Sequence, residues 1–157
     1  MGHLENRYKE ELSRVGYKVF SDYKRPKHLT DHTHCEECAD HDLALQNIDL
    51  MEFGPDQAGH IAWSPLPFMT ASALGYFMPR LIEMALENSP NRDGDPFITD
   101  FIRLVSKDDP RFALYTNEQK STIYYTLQYI STHFMNIIEQ EEYSVELLSA
   151  ISAWTDK

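Results

Sequence analysis

Apolar residues recur every three or four positions along most of this chain, and that period predicts helices. Leu4, Tyr8, Leu12, Val15 and Val19 share one stripe, giving a first helix that ends before Pro26. Thr33 with Glu36 three positions on reads as a capping box, which starts a second helix at His34 and runs it to about Gln46. The period then breaks from Asp49 through Gly54-Pro55 and Gly59 to Trp63-Ser64-Pro65-Leu66-Pro67, where three prolines and two glycines forbid a continuous helix. Thr70 caps a third helix through Leu86, with a kink expected at Pro79, which has no N–H for the carbonyl of Gly75.

Asp95 as cap and Pro96 at the first helical position open a segment whose Phe97, Phe101 and Val105 share a face. Asp109-Pro110 marks a short turn. The longest helix is predicted after Thr116, whose capping box with Gln119 precedes a stripe of Ile123, Leu127, Ile130, Phe134 and Ile137. Ser144 caps a last helix with Leu147, Leu148, Ile151 and Trp154 turned inward. The expectation is an all-α fold: one domain over residues 1–157, an irregular bundle of about five to six helices with a Pro/Gly-rich loop after the second. A composition of 42% hydrophobic and 12% aromatic residues over 157 positions supplies the core for it.

Charge changes the picture. Residues 1–28 carry seven Lys and Arg against four Asp and Glu, whereas the remainder carries seven against twenty-one. Between Lys27 and Arg80 there is no Lys or Arg, while Asp31, Glu36, Glu37, Asp40, Asp42, Asp49, Glu52 and Asp56 all fall there. Such a surface repels phosphate backbones, so nucleic-acid binding is disfavoured apart from the short basic run Lys24-Arg25-Pro26-Lys27. A basic protein partner or a cation fits better. No apolar run of membrane-spanning length occurs and MGHLENRYKEEL lacks a signal-peptide core, so no membrane is involved and a cytoplasmic location is expected. There, two cysteines are thiols or ligands rather than a structural disulfide.

Both cysteines lie in Thr33-His34-Cys35-Glu36-Glu37-Cys38-Ala39-Asp40-His41, with His28 and His32 just upstream. On a helix, His34, Cys38 and His41 share a face and Cys35 neighbours Cys38. Zinc takes thiolate and imidazole in tetrahedral sets, and Cys-x2-Cys is a common half-site, although no second cysteine pair exists. Because His34 and Cys35 would point about 100° apart on a helix, the expected set is Cys35, Cys38 and His41, completed by His32, His28 or His60. Two other readings stand beside a zinc site. A redox dithiol is favoured by the helix N-terminus and opposed by Glu36 and Glu37, and the thiols could also be small buried hydrophobes among hydrogen-bonded histidines.

If metal is bound, a structural role is the simpler one. Glu36, Glu37 and Asp42 are available bases, yet no His-Glu-x2-His helix is present. No phosphate-cradling glycine loop or Gly-x-Ser-x-Gly elbow occurs either. Tyr124, Tyr125, Tyr129 and His133 flank the apolar stripe of the long helix, and tyrosine there suits a binding face.

The block His34-Cys35-x2-Cys38-x2-His41-Asp42, followed by Trp63-x-Pro65, Phe68 and Tyr76-Phe77-x-Pro79, resembles a group of small bacterial proteins classed as a domain of unknown function. The likeness spans about residues 28–87. It implies a cytoplasmic bacterial protein in which the Cys/His block and the Tyr-Phe-x-Pro helix belong together, and it implies no activity. The functional expectation is therefore an acidic binding protein of the immunity type. Such a protein neutralises a basic toxin through Glu36, Glu37, Asp40, Asp42, Tyr125 and Tyr129, with a structural zinc at Cys35, Cys38, His41, His34 and His32. A metal-dependent hydrolase and a dithiol redox protein are the alternatives.

Overall fold

In a computed structural model describing residues 2–59, 63–91, 93–106 and 108–155, the chain forms six helices of nine residues or more and two short ones. They are α1 (Gly2–Val19), α2 (Glu36–Leu45), α3 (Pro55–Ala58), α4 (Ala71–Glu87), α5 (Phe97–Val105), α6 (Asn117–His133), α7 (Met135–Gln140) and α8 (Ser144–Thr155). Among the described residues there is no strand, and extended segments pair at isolated bridges such as Thr30–Met69 and Pro90–Pro96. The all-α bundle read from the apolar period is what forms.

Helix α4 is the axis of the core because it is apolar on nearly every side: Leu74, Phe77, Met78, Leu81, Ile82 and Ala85 have no exposed surface. Helices α1, α5 and α6 pack against it, and α8 closes the bundle over α5 and α6. The Thr70 hydroxyl accepts from the Ala73 N–H at its start, and the helix continues through Pro79 to a left-handed Asn88 (φ 52°). There the Ser89 N–H reaches back to the Met84 carbonyl, which supplies a partner for one of the last free carbonyls.

Several local expectations are corrected. In α1 only Leu12 and Gly16 are buried, while Leu4 is exposed and Tyr8 is half exposed with its ring laid on Tyr129. Asp95 does not cap α5. Its N–H and carbonyl are both taken by Asn91, whose side-chain oxygen organises the turn over residues 91–95, and Pro96 precedes the helix instead. The long helix stops at His133, since Phe134 leaves helical geometry (φ −122°, ψ 18°), and α7 restarts in a register that buries Ile138. Helix α8 begins at Ser144 itself and buries Leu147, Ala150 and Trp154, leaving Leu148 59% exposed on the adjoining face.

Gly75 sits where α4 meets the ring of Tyr23, and a Cβ there would clash with that ring. That ring packs against Phe20 and Tyr115, so displacing it toward solvent gives up those aromatic contacts. Overpacking costs about 1–3 kcal/mol, and the better helix propensity of alanine returns about 1 kcal/mol. A net loss is expected for Gly75→Ala, read as a lower urea midpoint with an unchanged slope.

Candidate metal centre

Helix α2 is peripheral, and polar groups in the segments around it hold it in place. At its C-terminal end the Arg25 guanidinium donates to the carbonyls of Leu45 (2.7 Å), Gln46 (2.7 Å) and Ile48 (3.2 Å), filling acceptors that a helix end leaves free. In its middle the Thr30 hydroxyl donates to the Cys38 carbonyl at 2.6 Å. Asp42 accepts from the Leu29 N–H (2.6 Å), the Thr30 N–H (3.4 Å) and His28 Nδ1 (2.8 Å). Residues 28–30 are in turn fixed to the bundle, because the Thr70 N–H donates to the Leu29 carbonyl.

The capping box expected from Thr33 and Glu36 is not formed. The Thr33 hydroxyl donates to the Asp31 carboxylate instead, and the cap is Cys35, whose sulfur accepts from the Cys38 N–H at 3.2 Å. Cys35 is extended (φ −160°, ψ 169°), so His34 and Cys35 are not helical neighbours. That removes the angular conflict read from the sequence. His34, Cys35 and Cys38 bring one ligand atom each within 4.8 Å of one another, with the two sulfurs 2.9 Å apart and His34 Nδ1 3.7 Å from the Cys38 sulfur. These groups are positioned to hold a metal ion.

The chemistry of the two thiols differs. Hydrogen bonds from the Cys38 thiol and N–H, together with His34, draw the exposed Cys35 down to about 7. The hydrogen bond with Cys35 and burial push Cys38 up to about 11. His34 is raised by its hydrogen bond and charge interaction with Cys35. Cys35 is thus the more readily ionised thiol at neutral pH, at the end of the helix where unpaired amides favour an anion.

The other expected ligands lie elsewhere. His41 is completely buried, with its ring centroid 4.1 Å from that of Trp63 and 4.9 Å from that of Phe68. Among the described residues neither ring nitrogen has a hydrogen-bond partner, and the nearest carboxylate, that of Glu37, is 3.8 Å away. Among the described residues it joins no ligand cluster. His32 stacks on His28 at 3.7 Å and falls in a second cluster with His28 and Asp42, while His60 lies outside the described residues. The single set of Cys35, Cys38, His41 and His32 is therefore not assembled.

Of the expected partner-binding residues, Glu36, Glu37 and Asp40 are exposed on α2, and among the described residues no Lys or Arg pairs with them. Asp42 is turned inward by its three hydrogen bonds, and Tyr129 is buried between Tyr8 and His133. Tyr125 is half exposed and lines a groove between α1 and α6. The reading of Lys24–Lys27 as a basic run missed the part played by Arg25, whose acceptors lie some twenty residues away and leave no local signal. Among the described residues no helix is long and apolar enough to cross a membrane. Comparison with protein-family models, with curated proteins and with solved structures finds no match to this chain.

Proposed function

We propose that this is a small acidic binding protein in which zinc, held by His34, Cys35 and Cys38, fixes the loop before α2 to the helix, and whose exposed carboxylates receive a basic protein partner. The observation that supports the zinc is the convergence of one imidazole and two thiols at a capped helix start. Three protein ligands leave a fourth position for water or a further side chain. The carboxylates of Glu36, Glu37 and Asp40 surround that corner with no Lys or Arg paired to them among the described residues, a charge pattern that steers a cationic partner. A toxin neutralised by an immunity-type protein of the cytoplasm is the partner class that suits a small acidic chain of this kind.

A dithiol redox role is the second reading, favoured by one distance. Sulfurs 2.9 Å apart lie between the ~2.05 Å of a disulfide and the ~3.8 Å of two thiolates at ~2.3 Å from one tetrahedral zinc. Either outcome needs under about 1 Å of side-chain movement.

One native preparation, purified without an affinity column, separates these. Elemental analysis is expected to find at least one zinc per chain, one equivalent of which is lost in the Cys35→Ser, Cys38→Ser variant. A basic protein is expected to co-purify, and to be lost on Glu36→Lys with Asp40→Lys. Zinc well below one equivalent and unchanged by the serine substitutions overturns the zinc site, and an intact mass lighter by two hydrogens then favours the redox role. Absence of any charge-dependent partner overturns the binding function.

A further inference from the structure

We infer that His28, His32 and Asp42 form a second divalent-cation site, separate from the thiol corner and independent of it. Each of the three offers a ligand atom within 4.8 Å of the others, across a loop and a helix that the sequence separates by ten to fourteen residues. Two imidazoles with one carboxylate are the donor set of borderline first-row divalent ions, zinc, cobalt(II), nickel(II) and iron(II) among them.

The carboxylate is already oriented. Asp42 Oδ1 is held by the Leu29 and Thr30 N–H groups, which leaves Oδ2 directed at His28 Nδ1 at 2.8 Å. That separation is close to the ~3.0 Å edge of an octahedron with ~2.1 Å bonds, so an ion can take the place of the proton shared by the two atoms. The Nδ1 proton of His28 passes through solvent to Nε2, so the ring stays neutral, and the freed Nδ1 lone pair and a carboxylate lone pair become the ligand bonds. The side chain of His28 is 39% exposed and His32 is exposed beside it, its ring stacked at 3.7 Å, so solvent reaches the remaining coordination positions.

Charge gives a further reason. Asp42 is nearly buried, with a side chain 11% exposed, and no Lys or Arg occurs between Lys27 and Arg80. Its hydrogen-bond partners are two neutral amides and an imidazole. A divalent ion would add a full positive charge beside a nearly buried carboxylate whose present partners are hydrogen-bond donors without one.

The test uses the full chain with Cys35→Ser and Cys38→Ser, in which serine retains the cap at position 35 and the thiol corner cannot bind. Titrated with cobalt(II), this protein is expected to bind one equivalent and to show paramagnetic shifts of the His28 and His32 ring protons. Adding His28→Gln and His32→Ala is expected to weaken binding at least tenfold while the circular dichroism is unchanged. If those two substitutions disturb the fold, the ring-proton shifts in the parent decide the matter. No stoichiometric cobalt(II), or shifts confined to other residues, overturns the site, and either result leaves the thiol corner untouched.

Discussion

Asp42→Ala is expected to destabilise the protein by about 3 kcal/mol, because it leaves the buried N–H groups of Leu29 and Thr30 without their acceptor. An orphaned buried donor costs about 1–3 kcal/mol, and hydrogen bonds to a charged group stand at the upper end. That is a large part of the 5–15 kcal/mol typical of a domain. Asp42→Asn keeps an acceptor for Leu29 and is expected to lose about half as much. Burial alone would raise the Asp42 carboxyl, but the hydrogen bonds from His28, Leu29 and Thr30 outweigh it and hold the group below the usual range. Its stabilising effect is therefore complete above about pH 3.9, the value for unfolded aspartate, and is lost as the pH falls through the lower folded value. Urea unfolding of both variants at pH 7 and at pH 3 checks this. Equal stability of Asp42→Ala and the parent at pH 7 would show that the loop is held in some other way.

The second large effect is expected at His41, and it runs in the opposite direction. His41→Phe is expected to raise stability by about 1–2 kcal/mol at pH 7, since it removes two ring nitrogens that are buried without partners among the described residues. The extra ring volume has room in the cavity of about 150 Å³ that His41 lines with Leu45, Trp63 and Pro65. Burial lowers the His41 pKa, although the Glu37 and Asp40 charges pull the other way. A histidine lowered on folding binds its proton more readily when unfolded, so the stability it allows is full above about pH 6.5. That stability falls, by up to about 1.4 kcal/mol per pH unit, as the pH drops from there toward the folded value. The phenylalanine variant should lose this part of the slope between pH 7 and pH 5, measured by urea midpoints. Parallel slopes for variant and parent would sink the argument.

The bundle was legible because its signals are local. Thr116 and Gln119 form the capping box that their spacing predicts, and Ile123, Leu127 and Ile130 are fully buried as their period requires. The errors fall where tertiary contacts outrank a local motif. Thr33 could have capped α2, but its hydroxyl is satisfied by Asp31, and the sulfur of Cys35 takes the cap position. That change of one element boundary also decided the ligand set. Read as helical, His34 and Cys35 diverge; with Cys35 extended, His34 joins the thiols and His41 turns into the aromatic wall. The pairing of His28 with Asp42 rests on a loop folding back fourteen residues along the chain, which no periodicity encodes.

The attachment of α2 bears on how the protein opens. Arg25 at one end, Thr30 and Asp42 in the middle and Cys35 at the other all tie the helix to the segment just before it. Helix and segment are therefore expected to separate from the bundle together, as one cooperative unit whose amides exchange with a common opening free energy, measurable by native-state hydrogen exchange. An ion bound at either proposed site would close that unit without adding a contact to the core, and cation concentration would then set how often this edge of the molecule breathes.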